Sequence, residues 1–173
     1  MSAAATQVTL DRTPSPQPHA SPDPARMIIE KLRERKSACF RVNGRSMWPA
    51  LRPGDLVFAK ALDIERVSFG QVVAFERDGR VFVHRVIRRI HSRGASGGPA
   101  ALRTKGDTLD GPDPTVSMQE YLGCVIRVHR GRRHIDMESL GHRAAGKAVA
   151  AVSPASRLIF GPLRALRAAV RSL

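Results

Sequence analysis

Ser46 stands in Gly44-Arg45-Ser46-Met47-Trp48-Pro49-Ala50-Leu51-Arg52-Pro53-Gly54-Asp55, between a strand-like run and a turn that holds two prolines. Proline breaks regular pairing, so this serine is held out of the ladder, with its hydroxyl free to face a cleft and its N–H free to donate to an oxyanion. His84 lies in Val81-Phe82-Val83-His84-Arg85-Val86-Ile87, where the two-residue alternation of a strand puts it on one face with Phe82 and Val86. Desolvation on such a face favours the neutral imidazole that a general base needs. A third segment, Thr104-Lys105-Gly106-Asp107-Thr108-Leu109-Asp110-Gly111-Pro112-Asp113, is an acidic turn in a chain of opposite charge. Taken singly, these segments also read as a turn, a satisfied core histidine and a set of turn caps.

The elements that must position these residues follow from composition and rhythm. The chain has 173 residues, enough for one packed core, and 29 Lys+Arg against 15 Asp+Glu give a formal net charge of +14. That balance suits an anionic partner, either nucleic acid or an acidic membrane surface. A hydrophobic share of 42% and a mean hydropathy of −0.23 fit a folded soluble domain. No stretch free of Asp, Glu, Lys and Arg exceeds ten residues, too short for a spanning helix of about 17–25 residues, and the N-terminus lacks the charged and apolar regions of a secretory signal. The expectation is a cytoplasmic or peripherally membrane-associated protein. Cys39 and Cys124 sit in apolar strand-like runs without metal-ligand spacing, and both are expected to be buried, reduced thiols. No metal and no organic cofactor is implied.

Residues 1–25 read as a disordered tail, since 13–24 hold five of the twelve prolines and offer little to bury. Ile28, Ile29 and Leu32 share one face of a short helix over 26–36. Six strand-like runs follow: CFRVN, DLVFAK, QVVAFE, RVFVHRVIRRI, AALRTK and YLGCVIRVHR, separated by turn-forming residues. That spacing predicts a mainly β domain, a barrel or coiled sheet with short flanking helices. Asp78-Gly79 marks a tight hairpin between the third and fourth runs, and 92–99 reads as a flexible loop tip. Beyond about residue 139 the chain becomes Ala- and Leu-rich, which predicts C-terminal helices. Arg157, Arg164, Arg167 and Arg171 stand opposite Leu163, Leu166 and Val170, a pattern that suits a helix lying on an anionic bilayer and equally a docked helix with a solvated Arg face.

Together the three segments resemble the type I signal peptidases, in the branch that uses serine and histidine and is related to self-cleaving SOS repressors. SMWPALRPGD matches the pattern S-M-x-P-x-L-x-x-G-D, GQVVAF matches G-D/E-I/V-V-x-F, VHRVI matches the H-R-V/I box, and TKGDTLDGPD matches K-G-D-N-N-x-x-x-D. The resemblance spans roughly 38–128 and implies a coiled-sheet peptidase domain over 26–137, followed by a basic amphipathic segment over 138–173. It implies Ser46 as nucleophile, His84 as general base and Asp113 as the supporting acid, with Asp107 as the second candidate for that place. Met47 is the implied substrate contact, whereas Trp48 and Leu51 read as core beneath the turn. The position two residues before the nucleophile, where some members carry a hydroxyl, is Gly44, which leaves the oxyanion to backbone donors, chiefly the Ser46 N–H.

The base has one rival: His91 lies beyond two arginines at the end of the same run, and no lysine occurs between Lys60 and Lys105. The resulting expectation is a serine endopeptidase that cleaves a polypeptide after small residues. Three alternatives carry the same residues: a maturation peptidase dedicated to one partner, a self-cleaving repressor, and a non-catalytic basic module on a membrane surface or nucleic acid. The repressor needs a DNA-binding unit for which residues 1–37 offer only one short helix. Nucleic acid is disfavoured because aromatics make up only 5% and suggest no stacking platform.

Overall fold

The computed structural model describes residues 23–91 and 99–152. The disordered tail expected at the N-terminus, apart from its last three residues, the loop tip at 92–98 and the arginine-bearing segment beyond 152 lie outside the described residues. Helix α1 spans Pro24–Arg33, and strands β1 (Ser37–Arg41), β2 (Leu56–Lys60), β3 (Val72–Arg77), β4 (Arg80–His91), β5 (Pro99–Lys105), β6 (Val116–Ser117), β7 (Tyr121–Arg130) and β8 (Arg133–Asp136) precede helix α2 (Leu140–Val152). All strands join one antiparallel sheet in the order β1-β2-β7-β3-β4-β5-β6, with β8 paired to β7. The sheet is open, with β1 and β6 at its edges.

Helix α1 begins two residues earlier than its apolar face suggests, because the Asp23 carboxylate accepts the Ala25 N–H at 3.0 Å and Pro24 supplies a preset first-turn φ. It also ends earlier, and Arg35 takes a left-handed φ of 61° that turns the chain into β1. Ile29 and Leu32 bury the helix against Ala38, Ala59, Ala74 and Leu122. Asp78 (φ 52°) and Gly79 (φ 70°) close the β3–β4 hairpin with Arg77 opposite Arg80, the geometry of a type I′ turn.

Two short strands escape the sequence pattern. β6 has two residues, too few for alternation to show, and β8 is Arg-His-Ile-Asp, polar at three of four positions, held in place by pairing to β7. Cys39 corrects the expectation for the cysteines: Ala38 faces the core, so Cys39 points outward and is exposed. Cys124 is buried, and burial pushes its thiol up to about 11 against the opposing effect of its hydrogen bond with Tyr121.

Two further buried clusters support the site. Val73, Phe75, Val86, Leu102, Val116 and Cys124 form one cluster, while Met47, Leu51, Val57, Val72, Val125 and Val128 form another beneath the serine turn. Helix α2 approaches the turn before β3 through a pair of glycines. A Cβ on Gly146 would stand 2.6 Å from the Gly70 carbonyl oxygen, so this backbone contact admits no side chain.

Candidate active site

The serine turn is fixed from both sides. Val42 N–H donates to the Asp55 carbonyl at 2.9 Å and Gly54 N–H donates to the Val42 carbonyl at 2.8 Å, which closes the base of the loop. The Asp55 side chain is buried and accepts the Arg52 N–H at 2.8 Å and Arg130 Nη2 at 2.7 Å, and the same Nη2 donates to the Ala50 carbonyl at 2.9 Å. Burial would raise the Asp55 pKa, but the bonds from Arg130 and Arg52 and their charges hold it below the usual carboxylate value. Within the turn, Trp48 N–H donates to the Arg45 carbonyl and Leu51 N–H to the Met47 carbonyl, and the Ser46 N–H has no acceptor among the described residues.

These bonds decide which side chains point inward. Leu51 is fully buried, as expected. Trp48 is 49% exposed instead of lying in the core, because the turn spends its inward positions on Met47 and Leu51. Met47, the implied substrate contact, is only 2% exposed and packs in the cluster with Leu51, Val57 and Val128. Its side chain therefore supports the turn from below.

β4 carries His84 to the serine. His84 Nε2 lies 3.0 Å from Ser46 Oγ, and Nδ1 lies 2.7 Å from Asp113 Oδ2. His84 is 5% exposed, and its ring centroid stands 5.9 Å from that of Phe75 and 6.4 Å from that of Phe82. Asp113 is anchored by Thr104: its N–H donates to the Thr104 carbonyl at 2.8 Å, and Thr104 Oγ1 donates to Oδ2 at 2.7 Å. Burial opposes ionisation of Asp113, yet the hydrogen bond and charge of His84, the Thr104 hydroxyl and the Arg77 charge hold its pKa below the ordinary value. His91 is exposed at the far end of β4, seven residues and roughly 23 Å along the strand from His84.

Asp107 goes elsewhere. It grips Arg85 through two bonds, Nε to Oδ1 at 2.8 Å and Nη2 to Oδ2 at 2.7 Å, while Arg85 Nη1 donates to the Gly70 carbonyl at 2.8 Å. Because consecutive strand residues face opposite ways, this buried pair lies on the other side of β4 from His84. The same loop also holds the serine. Thr108 N–H donates to the Ser46 carbonyl at 2.9 Å, and Thr108 Oγ1 donates to the Ser46 and Arg45 carbonyls at 3.1 Å. A Cβ at Gly106 would stand 2.8 Å from that Ser46 carbonyl, which explains a glycine there.

The structure thus brings together Ser46, His84 and Asp113 and leaves Asp107 and Met47 in supporting positions. Thr104, Arg85, Thr108 and Arg130 complete the site without having been singled out from the sequence. Thr104 and Thr108 lie in the acidic segment and Arg85 follows His84, so a search of those boxes for hydrogen-bonding groups could have found them. Nothing local marks Arg130, which comes 75 residues after the aspartate it holds. Among the described residues, no group of three or more His, Cys, Asp or Glu side chains could hold a metal ion, and no helix is long and apolar enough to cross a membrane.

No curated protein matches the chain. The model of the family described as Peptidase S24-like matches residues 8–94, half of the chain, a span that contains both Ser46 and His84. The chain with this serine turn and this histidine strand belongs to the Peptidase S24-like family.

Proposed function

We propose that the chain is a serine endopeptidase of the signal peptidase I type, with Ser46 as nucleophile, His84 as general base and Asp113 as its support. The observation that carries this reading is the continuous hydrogen-bonded run from Ser46 Oγ through both ring nitrogens of His84 to Asp113. His84 Nε2 takes the Ser46 proton as Oγ attacks a peptide carbonyl, and the Ser46 N–H donates to the resulting oxyanion. The protonated ring then gives its proton to the leaving amine as the C–N bond breaks, which leaves an ester on Ser46. Water, deprotonated by the same nitrogen, hydrolyses that ester and restores the serine. Asp113 fixes the tautomer with its proton on Nδ1 and stabilises the imidazolium in each half-reaction.

β1 is an edge strand among the described residues and leads to the serine turn, so an extended substrate can pair with its outer edge and present a carbonyl to Ser46. The resemblance to signal peptidases suggests small residues of the Ala-x-Ala type before the cleaved bond. The test is mass spectrometry of a peptide pool containing such segments, incubated with wild type, Ser46→Ala or His84→Ala. Cleavage by wild type after small residues that vanishes in both variants is the expected result. Equal cleavage by the variants, or none by wild type, overturns the catalytic reading.

A further inference from the structure

Arg77, the last residue of β3, reaches the site from behind. Val73, Phe75 and Arg77 alternate along one face of β3, and Val73 and Phe75 stand across the ladder from His84 and Phe82 of β4. The guanidinium carbon of Arg77 lies 5.4 Å from the centroid of the Phe75 ring, the same ring that meets His84 in an edge contact. Its fork grips the segment that follows Asp113. Nη2 donates to the Thr115 carbonyl at 3.3 Å, two residues beyond Asp113, and Nε and Nη2 donate to Glu120 Oε1 at 2.8 and 2.6 Å. Glu120 in turn accepts the Ser117 N–H and hydroxyl on Oε2, each at 2.9 Å. Between these two grips stands Val116, fully buried in the cluster with Val86 and Leu102. The end of β3 therefore holds residues 115–120, while Thr104 of β5 holds Asp113 itself.

Charge acts in the same direction. Burial works against the ionised form of Asp113, and the groups that favour it are His84 from β4, the Thr104 hydroxyl from β5 and Arg77 from β3. Of the two cationic side chains, His84 is charged only when protonated, whereas a guanidinium is charged throughout turnover. Arg80 stands opposite Arg77 in the hairpin, and the Glu120 carboxylate offsets part of the Arg77 charge while fixing where it sits.

We propose that Arg77 is a positioning residue for the Ser46–His84–Asp113 run: by its fork and its charge it holds the Asp113 carboxylate in place against His84 Nδ1. This rests on the peptidase reading of those three residues given above. Wild type, Arg77→Met and Arg77→Lys are compared by two readouts, steady-state cleavage of an Ala-x-Ala peptide and titration of the Asp113 side-chain carbon by NMR without substrate. In Arg77→Met the Asp113 midpoint should rise and kcat should fall at least about fivefold with KM unchanged. Arg77→Lys keeps the charge and loses the fork, so the midpoint should stay near that of wild type while kcat still falls. In an Asp113→Asn background the Met substitution should cost less than about twofold in kcat, because Arg77 acts through that carboxylate. An unmoved midpoint in Arg77→Met, a Lys variant as active as wild type, or a full loss that persists in the Asp113→Asn background overturns the proposal. If Arg77→Met does not fold, kcat of the Lys variant decides. Wild type that cleaves no peptide refutes the peptidase reading instead, and the NMR midpoints then decide by themselves whether Arg77 acts on Asp113.

Discussion

Asp107 and Asp113, six residues apart in one segment, hold consecutive residues of β4 on its opposite faces: Asp113 bonds His84 and Asp107 bonds Arg85. One segment therefore orients the imidazole and ties down the strand that carries it. The two carboxylates should fail in different ways. Asp113→Asn keeps a polar group of the same shape but removes the charge facing the imidazolium, so kcat should fall by about 10²–10⁴ with a smaller loss of Tm than Asp107→Asn causes. Asp107→Asn leaves a buried guanidinium without its counter-ion, and stability should fall by about 3–5 kcal/mol. Parallel peptidase assays and thermal melts on the two variants separate the effects; equal loss of Tm in both would contradict the division.

Thr108 is the clamp on the Ser46 backbone. Thr108→Val removes the hydroxyl bonds to the Ser46 and Arg45 carbonyls but keeps the N–H bond, and should cost about 1 kcal/mol of stability. If the clamp sets the position of Ser46, kcat falls as well while KM stays nearly constant. Thr108→Ser restores the donor and should restore both quantities, which a side chain that merely fills space would not do.

Acid should loosen the serine turn. The folded pKa of Asp55 is held below its unfolded value of about 3.9, so its contribution is complete above about pH 4 and is lost as pH falls through the folded value. Asp113 behaves in the same sense. Asp55→Asn should lower Tm at neutral pH and make the decline of Tm below about pH 4 shallower than in wild type. A variant whose Tm falls as steeply in acid as wild type would show that the Asp55–Arg130 pair contributes nothing to this dependence.

Gly146→Ala opposes two effects of known sign. Alanine is the better helix former by about 1 kcal/mol, but its methyl would lie 2.6 Å from the Gly70 carbonyl oxygen, a backbone atom that cannot swing aside. Overpacking of this kind costs about 1–3 kcal/mol, so a net loss of Tm is expected. A rise in Tm would mean that α2 is free to move off the turn. Gly141→Ala, with nothing within 4 Å of its Cβ, is the control and should be neutral or stabilising.

Much of this protein was legible without coordinates where side-chain type and local spacing carry the information. The six main strands follow from alternation and turn residues, and the β3–β4 hairpin follows from Asp78-Gly79, because those signals act over two to ten residues. The segments holding Ser46, His84 and both aspartates were visible for the same reason. Other features were not. The direction of each side chain in the serine turn, with Trp48 out and Met47 in, has no period to read, because the turn is neither helix nor strand. β8 is polar and becomes a strand only because β7 offers it a hydrogen-bonding edge.

The last matter is the choice between Asp107 and Asp113. The sequence by itself determined that a serine, a histidine and an acidic segment occur in an order suited to acyl transfer, since these are properties of residue types and local turns. Only the tertiary structure decided which aspartate meets His84, which one meets Arg85, and that Arg130 closes the turn from 75 residues away. The reason is physical: a strand sends adjacent side chains to opposite faces, and which face a distant loop reaches is set by sheet register and packing, which no local pattern encodes.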